Sequence, residues 1–286
     1  MASWQQYSNA GDREPEENKF STVSSSSQFI SMAPGNYDTA SQFFSVQLWL
    51  SGQLKLLKFS DPVFMVYDPV EYAGGIYFQY LQRFCRSPKH LLILGMNPGP
   101  WGMGQTGIPF GDVDTVKNYL GLAEFGFLIR QPTQQHPSKI VTGLDCHRKE
   151  PSGTKLWGLV KKLTNYCPAE IALANIIVHN FCPLIFLKES GCNLTPEELK
   201  ASNKKEELFN LCSTALYHSL RVLQCSQILC IGKFAEKRAD LMVKKFSLNA
   251  LVYSIPHPSP RNVSGRVNWE ENAMASLSAS GLLQFI

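Results

Sequence analysis

Four consecutive apolar residues, Leu91-Leu92-Ile93-Leu94, run directly into a loop stiffened by glycine and proline, and this junction restricts the architectures open to the chain. An unbroken apolar run of that length reads as a strand buried on both faces, as in a parallel sheet covered by helices. Between Gly95 and Gly111 the loop holds six glycines and three prolines. Such control of backbone shape suits a loop that a ligand approaches closely. Asn97 stands just beyond the strand's carboxyl end, where open α/β sheets form their ligand crevices.

The first core strand is predicted over residues 90–94, with others at 171–178, 227–231 and 251–255. Phe43, Phe44, Val46, Leu48, Leu50, Leu54 and Leu57 predict a helix over 41–58. A short helix is expected over 114–120, and a clearer one, capped by Ser152, runs through Leu163. Thr195-Pro196-Glu197-Glu198 is a capping box opening helical sequence that extends, with a break, to Cys225. Helices over 233–246 and 269–280 complete the pattern. Strands alternating with helices predict an α/β three-layer sandwich around a central, mostly parallel four-stranded sheet. Residues 1–40, rich in Ser, Gln, Glu and Asn, are expected to be a disordered tail, leaving 41–286 as a single domain.

Composition adds two constraints. Outside residues 1–40 there are 25 basic and 18 acidic residues, a mildly basic body that suits contact with a polyanion. The eight cysteines form no Cys-x-x-Cys pair and read as reduced core thiols of an intracellular protein. No signal peptide and no bilayer span are expected, because the amino terminus has neither a basic start nor an apolar stretch.

Each motif has a bland reading beside the functional one. Gly102-Met103-Gly104-Gln105-Thr106-Gly107 has dinucleotide-fingerprint spacing, but Ile108-Pro109-Phe110-Gly111 cannot open the helix that fingerprint needs. No Gly-Lys-Ser/Thr follows, which excludes a phosphate-cradling P-loop. Asn97 is also an ordinary turn residue. Asn180, after the second buried strand, either caps a turn or faces the same rim as Asn97, while His179 reads equally as an interior histidine. Phe110 is a core plug or a stacking platform for a planar ring. Cys167, His179 and Cys182 lack a fourth partner at zinc-ligand spacing, so no metal is expected. His257 follows the strand over 251–255 on a loop held by Pro258 and Pro260. Arg261 at its tip, backed by Arg266, is either surface charge or a group for a nucleic-acid groove.

Three segments, residues 95–111, Val178-His179-Asn180-Phe181-Cys182-Pro183-Leu184 and His257-Pro258-Ser259-Pro260-Arg261-Asn262, resemble the signature segments of the single-strand-selective monofunctional uracil-DNA glycosylases. Asp68-Pro69-Val70-Glu71-Tyr72 and Asn193-Leu194-Thr195-Pro196 also resemble family stretches, so the likeness runs from about Leu54 to the carboxyl terminus. The resemblance implies the uracil-DNA glycosylase fold and hydrolysis of the bond joining uracil, or 5-substituted uracils such as 5-hydroxymethyluracil, to deoxyribose. It implies action on single- and double-stranded DNA by base flipping, without strand cleavage.

By the same resemblance Asn97 positions the attacking water and His257 stabilises the departing base. Asn180 reads the uracil edge, Phe110 stacks on the ring, and Met96 and Gly99 lie against it, with Gly99 leaving room for a 5-substituent or a water. Pro258, Ser259, Pro260, Arg261, Asn262 and Arg266 contact DNA. Family members carry Pro at position 263 and an Ala-Asn-Lys-Gly stretch where this chain has Val263 and Gly265-Arg266-Val267-Asn268. A catalytically inactive nucleic-acid-binding relative is the alternative.

Elementary chemistry accords with these roles. Cleaving the N-glycosidic bond puts negative charge on the uracil oxygens, so a donor aimed there helps most in the transition state. Uracil presents an acceptor at O4 and a donor at N3, which one oriented carboxamide matches while cytosine presents the reverse. No cofactor is called for. The expected partner is DNA containing uracil or oxidised uracil, with no membrane contact, a monomeric state and, from the substrate alone, nuclear residence.

Overall fold

A computed structural model describes residues 38–200, 203–259 and 268–286. Asp38 accepts the Ser41 N–H at 2.7 Å and starts α1 (Thr39–Leu54), which buries Phe43, Val46, Leu50 and Leu54 at helical spacing. The expected helix thus ends earlier, before the loop that leads to β1 (Met65–Tyr67). Asp68 caps α2 (Pro69–Tyr72), with proline at the first helical position, and α3 (Gly74–Phe84) follows. Next come β2 (Leu91–Gly95), the glycine-rich loop with the single turn α4 (Met103–Thr106), and a π-helical turn at Thr115–Tyr119 in place of the expected short α-helix.

The helix expected to be capped by Ser152 is α5 (Pro151–Leu163), and its N-cap is Glu150. Proline at the first helical position sets the start one residue before Ser152. The apolar stretch read as one strand over 171–178 divides into α6 (Ala169–Ala172) and β3 (Ile176–Asn180), and Ile171 is 65% exposed. Pro168 lies at the N-cap of α6, where its ring geometry suits a helix start. After β3 come β4 (Ile185–Leu187) and β5 (Asn193–Leu194), then a 3₁₀ turn at Pro196–Glu198 that carries the Thr195 capping box. The remaining elements are α7 (Asn203–Leu223), β6 (Gln227–Ile231), α8 (Lys233–Lys245), β7 (Leu251–Ile255) and α9 (Trp269–Ala279).

The fold is α/β. The central sheet has the order β3-β2-β6-β7, and every pair in it is parallel. Helix α8 packs on β6 and β7, α9 on β7, and α1 against α3 and α7. A second, antiparallel sheet, β1-β4-β5, was not expected; its strands are two or three residues long and show no period. Because the chain passes from β2 to β3 on one side and later to β6 on the other, β2 lies at the reversal point, and its carboxyl end opens on the crevice such sheets provide.

Candidate active site

Gly95 of β2 pairs with Asn180 of β3, and the pairing continues past both strands. The Phe181 N–H donates to the Gly95 carbonyl and the Cys182 N–H to the Met96 carbonyl, each at 2.9 Å. Beyond them, Asn97 Nδ2 donates to the Leu184 carbonyl at 3.1 Å and approaches the Pro98 carbonyl at 3.4 Å. Asn97 and Asn180 are therefore carried by two hydrogen-bonded segments at one sheet edge. With its amide hydrogens directed to main-chain oxygens, Asn97 keeps Oδ1 as an acceptor.

Asn180 is buried, and its Nδ2 lies 3.4 Å from Met103 Sδ, a weak acceptor. Its Oδ1 is buried without a partner. A buried amide oxygen left unpaired costs about 1–3 kcal/mol, so Oδ1 is an acceptor in want of a donor. Phe110 shares this position. A Cβ on Gly95 would overlap both Asn180 Oδ1 and the Phe110 ring, so glycine lets the carboxamide and the phenyl ring meet over the strand end. Phe110 itself has φ +56°, a left-handed conformation that costs an L-residue roughly 1–2 kcal/mol. The turn is held by Gly111 N–H to Ile108 O at 2.8 Å and by Thr106 Oγ1 to Gly111 O at 2.7 Å.

Glu150 escaped the sequence reading. Its carboxylate lies where a Cβ on Gly99 would be and accepts the Trp101 backbone N–H, while its Cβ and Cγ crowd the same position on Gly102. Burial raises its pKa, and Asp112 nearby adds to the rise, while the Trp101 N–H opposes it. The glycine at 99 thus makes room for a carboxylate belonging to the protein. Met96 and Gly99 are half-buried beside Asn97. Trp101 is half-buried, with Lys139 and Arg148 over its ring.

His257, two residues past β7, lies at the same sheet edge two strands from β2, about 10 Å along the sheet at ordinary strand spacing. The Ser259 N–H donates to its Nδ1 at 3.1 Å, which leaves the proton of the neutral ring on Nε2. Burial lowers its pKa to about 4, so at neutral pH it is an uncharged N–H donor. The Trp269 indole N–H donates to the Pro256 carbonyl at 2.7 Å and fixes the chain just before it. Pro258 is buried and Ser259 half-buried; Pro260, Arg261, Asn262 and Arg266 lie outside the described residues, as do residues 1–37 of the tail expected over 1–40, whose Thr39 and Ala40 instead begin α1.

His179 is the satisfied interior histidine. Its Nδ1 lies 3.2 Å from the Tyr77 hydroxyl, its ring meets Phe43 edge-on at 5.1 Å, and burial lowers its pKa to about 3. Strand alternation turns it away from the face that presents Asn180. Among the described residues, no three His, Cys, Asp or Glu side chains gather as metal ligands.

Residues 82–277 match the family model described as the Uracil DNA glycosylase superfamily. The chain belongs to the uracil-DNA glycosylase superfamily. Within it, the chain is 39% identical over 253 residues to the single-strand selective monofunctional uracil DNA glycosylase of Bos taurus, covering 88% of this chain and 91% of that protein. Its identity to the single-strand selective monofunctional uracil-DNA glycosylase of Rattus norvegicus is 38% over 255 residues, covering 89% and 90%. The resemblance carried by the three motifs is thereby borne out. The crystal structure of wild-type Pedobacter heparinus SMUG2 matches with a TM-score of 0.59 at 17% identity, covering 86% of this chain and 99% of that one, a likeness of fold.

Proposed function

We propose that this superfamily member is a DNA-repair hydrolase that cleaves the N-glycosidic bond of uracil and 5-substituted uracils such as 5-hydroxymethyluracil in single- and double-stranded DNA. The nucleotide is flipped out of the stack and the strand is left intact. The observation that carries the reading is the Asn180 carboxamide, buried with Oδ1 unpaired beside Phe110. An unpaired acceptor next to an amide donor matches N3–H and O4 of uracil and mismatches cytosine, and the phenyl ring offers a face for stacking.

Asn97 Oδ1 holds the attacking water, its amide orientation set by the Leu184 carbonyl. His257 donates Nε2–H to the uracil oxygen on which charge develops; a neutral donor serves this purpose without a proton having to move. Met96 and Gly99 bound the base, and residues 258–262 with Arg266 hold the DNA. Residues 41–286 act as one catalytic domain, as a monomer in the nucleus.

Asn97→Ala and His257→Ala should each lower uracil release from a labelled single-stranded oligonucleotide by at least about 100-fold while leaving the melting temperature near that of the parent. Unchanged release in both variants would overturn the assignment.

A further inference from the structure

The rim of the site carries a cluster that none of these roles uses. Lys139 Nζ lies 5.0 Å and Arg148 Cζ 4.8 Å from the centroid of the Trp101 ring, four residues beyond Asn97. His147, Arg148 and Lys149 are all exposed. Two carboxylates lie close in sequence: Glu150 is turned inward against Gly99 and the Trp101 N–H, and Asp145 is exposed. Positive charge therefore dominates this rim.

Its geometry is tied to the loop that bears Asn97. Gln105 Nε2 donates to the carbonyls of Pro100 and Ile140 at 3.1 and 3.0 Å, and its Oε1 accepts the Thr142 N–H at 2.8 Å, which fixes the segment carrying Lys139. Glu150 does the same for the segment carrying Arg148. Cation–π contact, worth about 0.5–1 kcal/mol at exposed sites, orders both long side chains. Cations already ordered lose less entropy when they bind an anion.

We propose that Trp101, Lys139 and Arg148 form a subsite for the phosphodiester backbone of the DNA strand that carries the target nucleotide. The inference rests on the proposed reading of the site as one that takes DNA. Lys139 and Arg148 each neutralise a phosphate, and Trp101 serves as the rigid plate that holds them.

The test measures binding of a thymidine-only single-stranded oligonucleotide, which contains no uracil, by fluorescence anisotropy across a salt series. Each phosphate contact on a single strand contributes about 0.7 to the slope of log affinity against log salt. The double variant Lys139→Gln, Arg148→Gln keeps the stems over the ring and removes both charges. Its slope should be shallower by about 1.4 and its affinity about 25-fold weaker at roughly 0.1 M salt. Arg148→Lys, which keeps the charge, should stay close to the parent. Uracil release at saturating oligonucleotide and the melting temperature should be unchanged in the double variant, in Arg148→Lys and in the single variant Arg148→Gln. An unaltered slope in the double variant, or a loss in Arg148→Lys as large as in Arg148→Gln, would overturn the proposal. A parent protein that binds DNA with the expected slope but releases no uracil would instead refute the glycosylase reading and leave the subsite standing.

Discussion

Replacing Gly95 by alanine isolates the position where β2, the Asn180 amide and the Phe110 ring meet. The added Cβ would overlap Asn180 Oδ1 and Phe110 Cε2 and stand 2.7 Å from Phe110 Cζ. Carbon atoms in good contact are about 3.5–4.0 Å apart, so the ring must retreat by about 1 Å. Asn180 is hemmed in by Met103 and Phe110 by its left-handed turn, so neither can yield freely. Overpacking of this kind costs about 1–3 kcal/mol, equivalent to a melting temperature lower by roughly 2–12 °C. Its effect on chemistry should be larger in proportion, since a displacement of about 1 Å near a reacting group can cost about 100-fold in rate. Single-turnover release of uracil and thermal melting measured on the same preparation give both quantities. A Gly95→Ala protein with kcat/KM within a few fold of the parent would refute the argument that Asn180 and Phe110 are held in register by the missing side chain.

Two further outcomes follow from the electrostatics. Because burial lowers the His257 pKa to about 4 from the ordinary 6.5, the acid limb of kcat/KM assigned to this group should fall near pH 4. The unfolded chain takes up that proton at the higher value, so the neutral ring's contribution to stability is present above pH 6.5 and is lost as the pH falls from 6.5 toward 4. His257→Gln should flatten this part of the melting profile, and a limb near 6.5 in the parent would contradict the burial argument. Glu150→Gln keeps an acceptor for the Trp101 N–H whereas Glu150→Ala leaves it unpaired. Uracil release should therefore fall further in the alanine variant, whose stability drops by about 1–3 kcal/mol; equal activity in the two would show that Glu150 does not shape the loop.

Much of the frame was legible because the parallel strands are buried enough to write themselves as apolar runs. The strands over 227–231 and 251–255 coincide with β6 and β7, and the strand expected at 90–94 is β2 displaced by one residue. The same signal misled at residues 171–178, since a continuous apolar stretch carries no period that separates a helical turn from a strand. Strands β1, β4 and β5 are too short to show alternation. In α3 the buried Ile76, Tyr77, Tyr80, Leu81 and Phe84 do keep helical spacing, but the helix opens on Gly74-Gly75, poor helix formers that mask it.

The site divides along similar lines. Asn97 and His257 could be found because each follows a strand that the hydrophobic pattern locates, and Asn180 because it closes the apolar stretch whose second half is β3. Met103 lies inside the glycine-rich motif, though nothing in its type marks it as the partner of Asn180. Glu150 left no trace at all, because a lone glutamate before a proline looks like any solvated cap, and its contact with Gly99 comes only from the folding of distant segments.

The ladder that outlasts β2 and β3 has an evolutionary corollary. Since Phe181, Cys182 and Leu184 stitch one loop to the other, the amide proposed to choose the base and the amide proposed to aim the water ride on a shared plank. Drift that tilted one would tilt both, so a descendant seeking a new base would forfeit hydrolysis before gaining selectivity. Innovation in such a scaffold is steered away from the plank and toward the wall formed by Gly99 and Glu150, where a single side chain can be exchanged without disturbing the stitching.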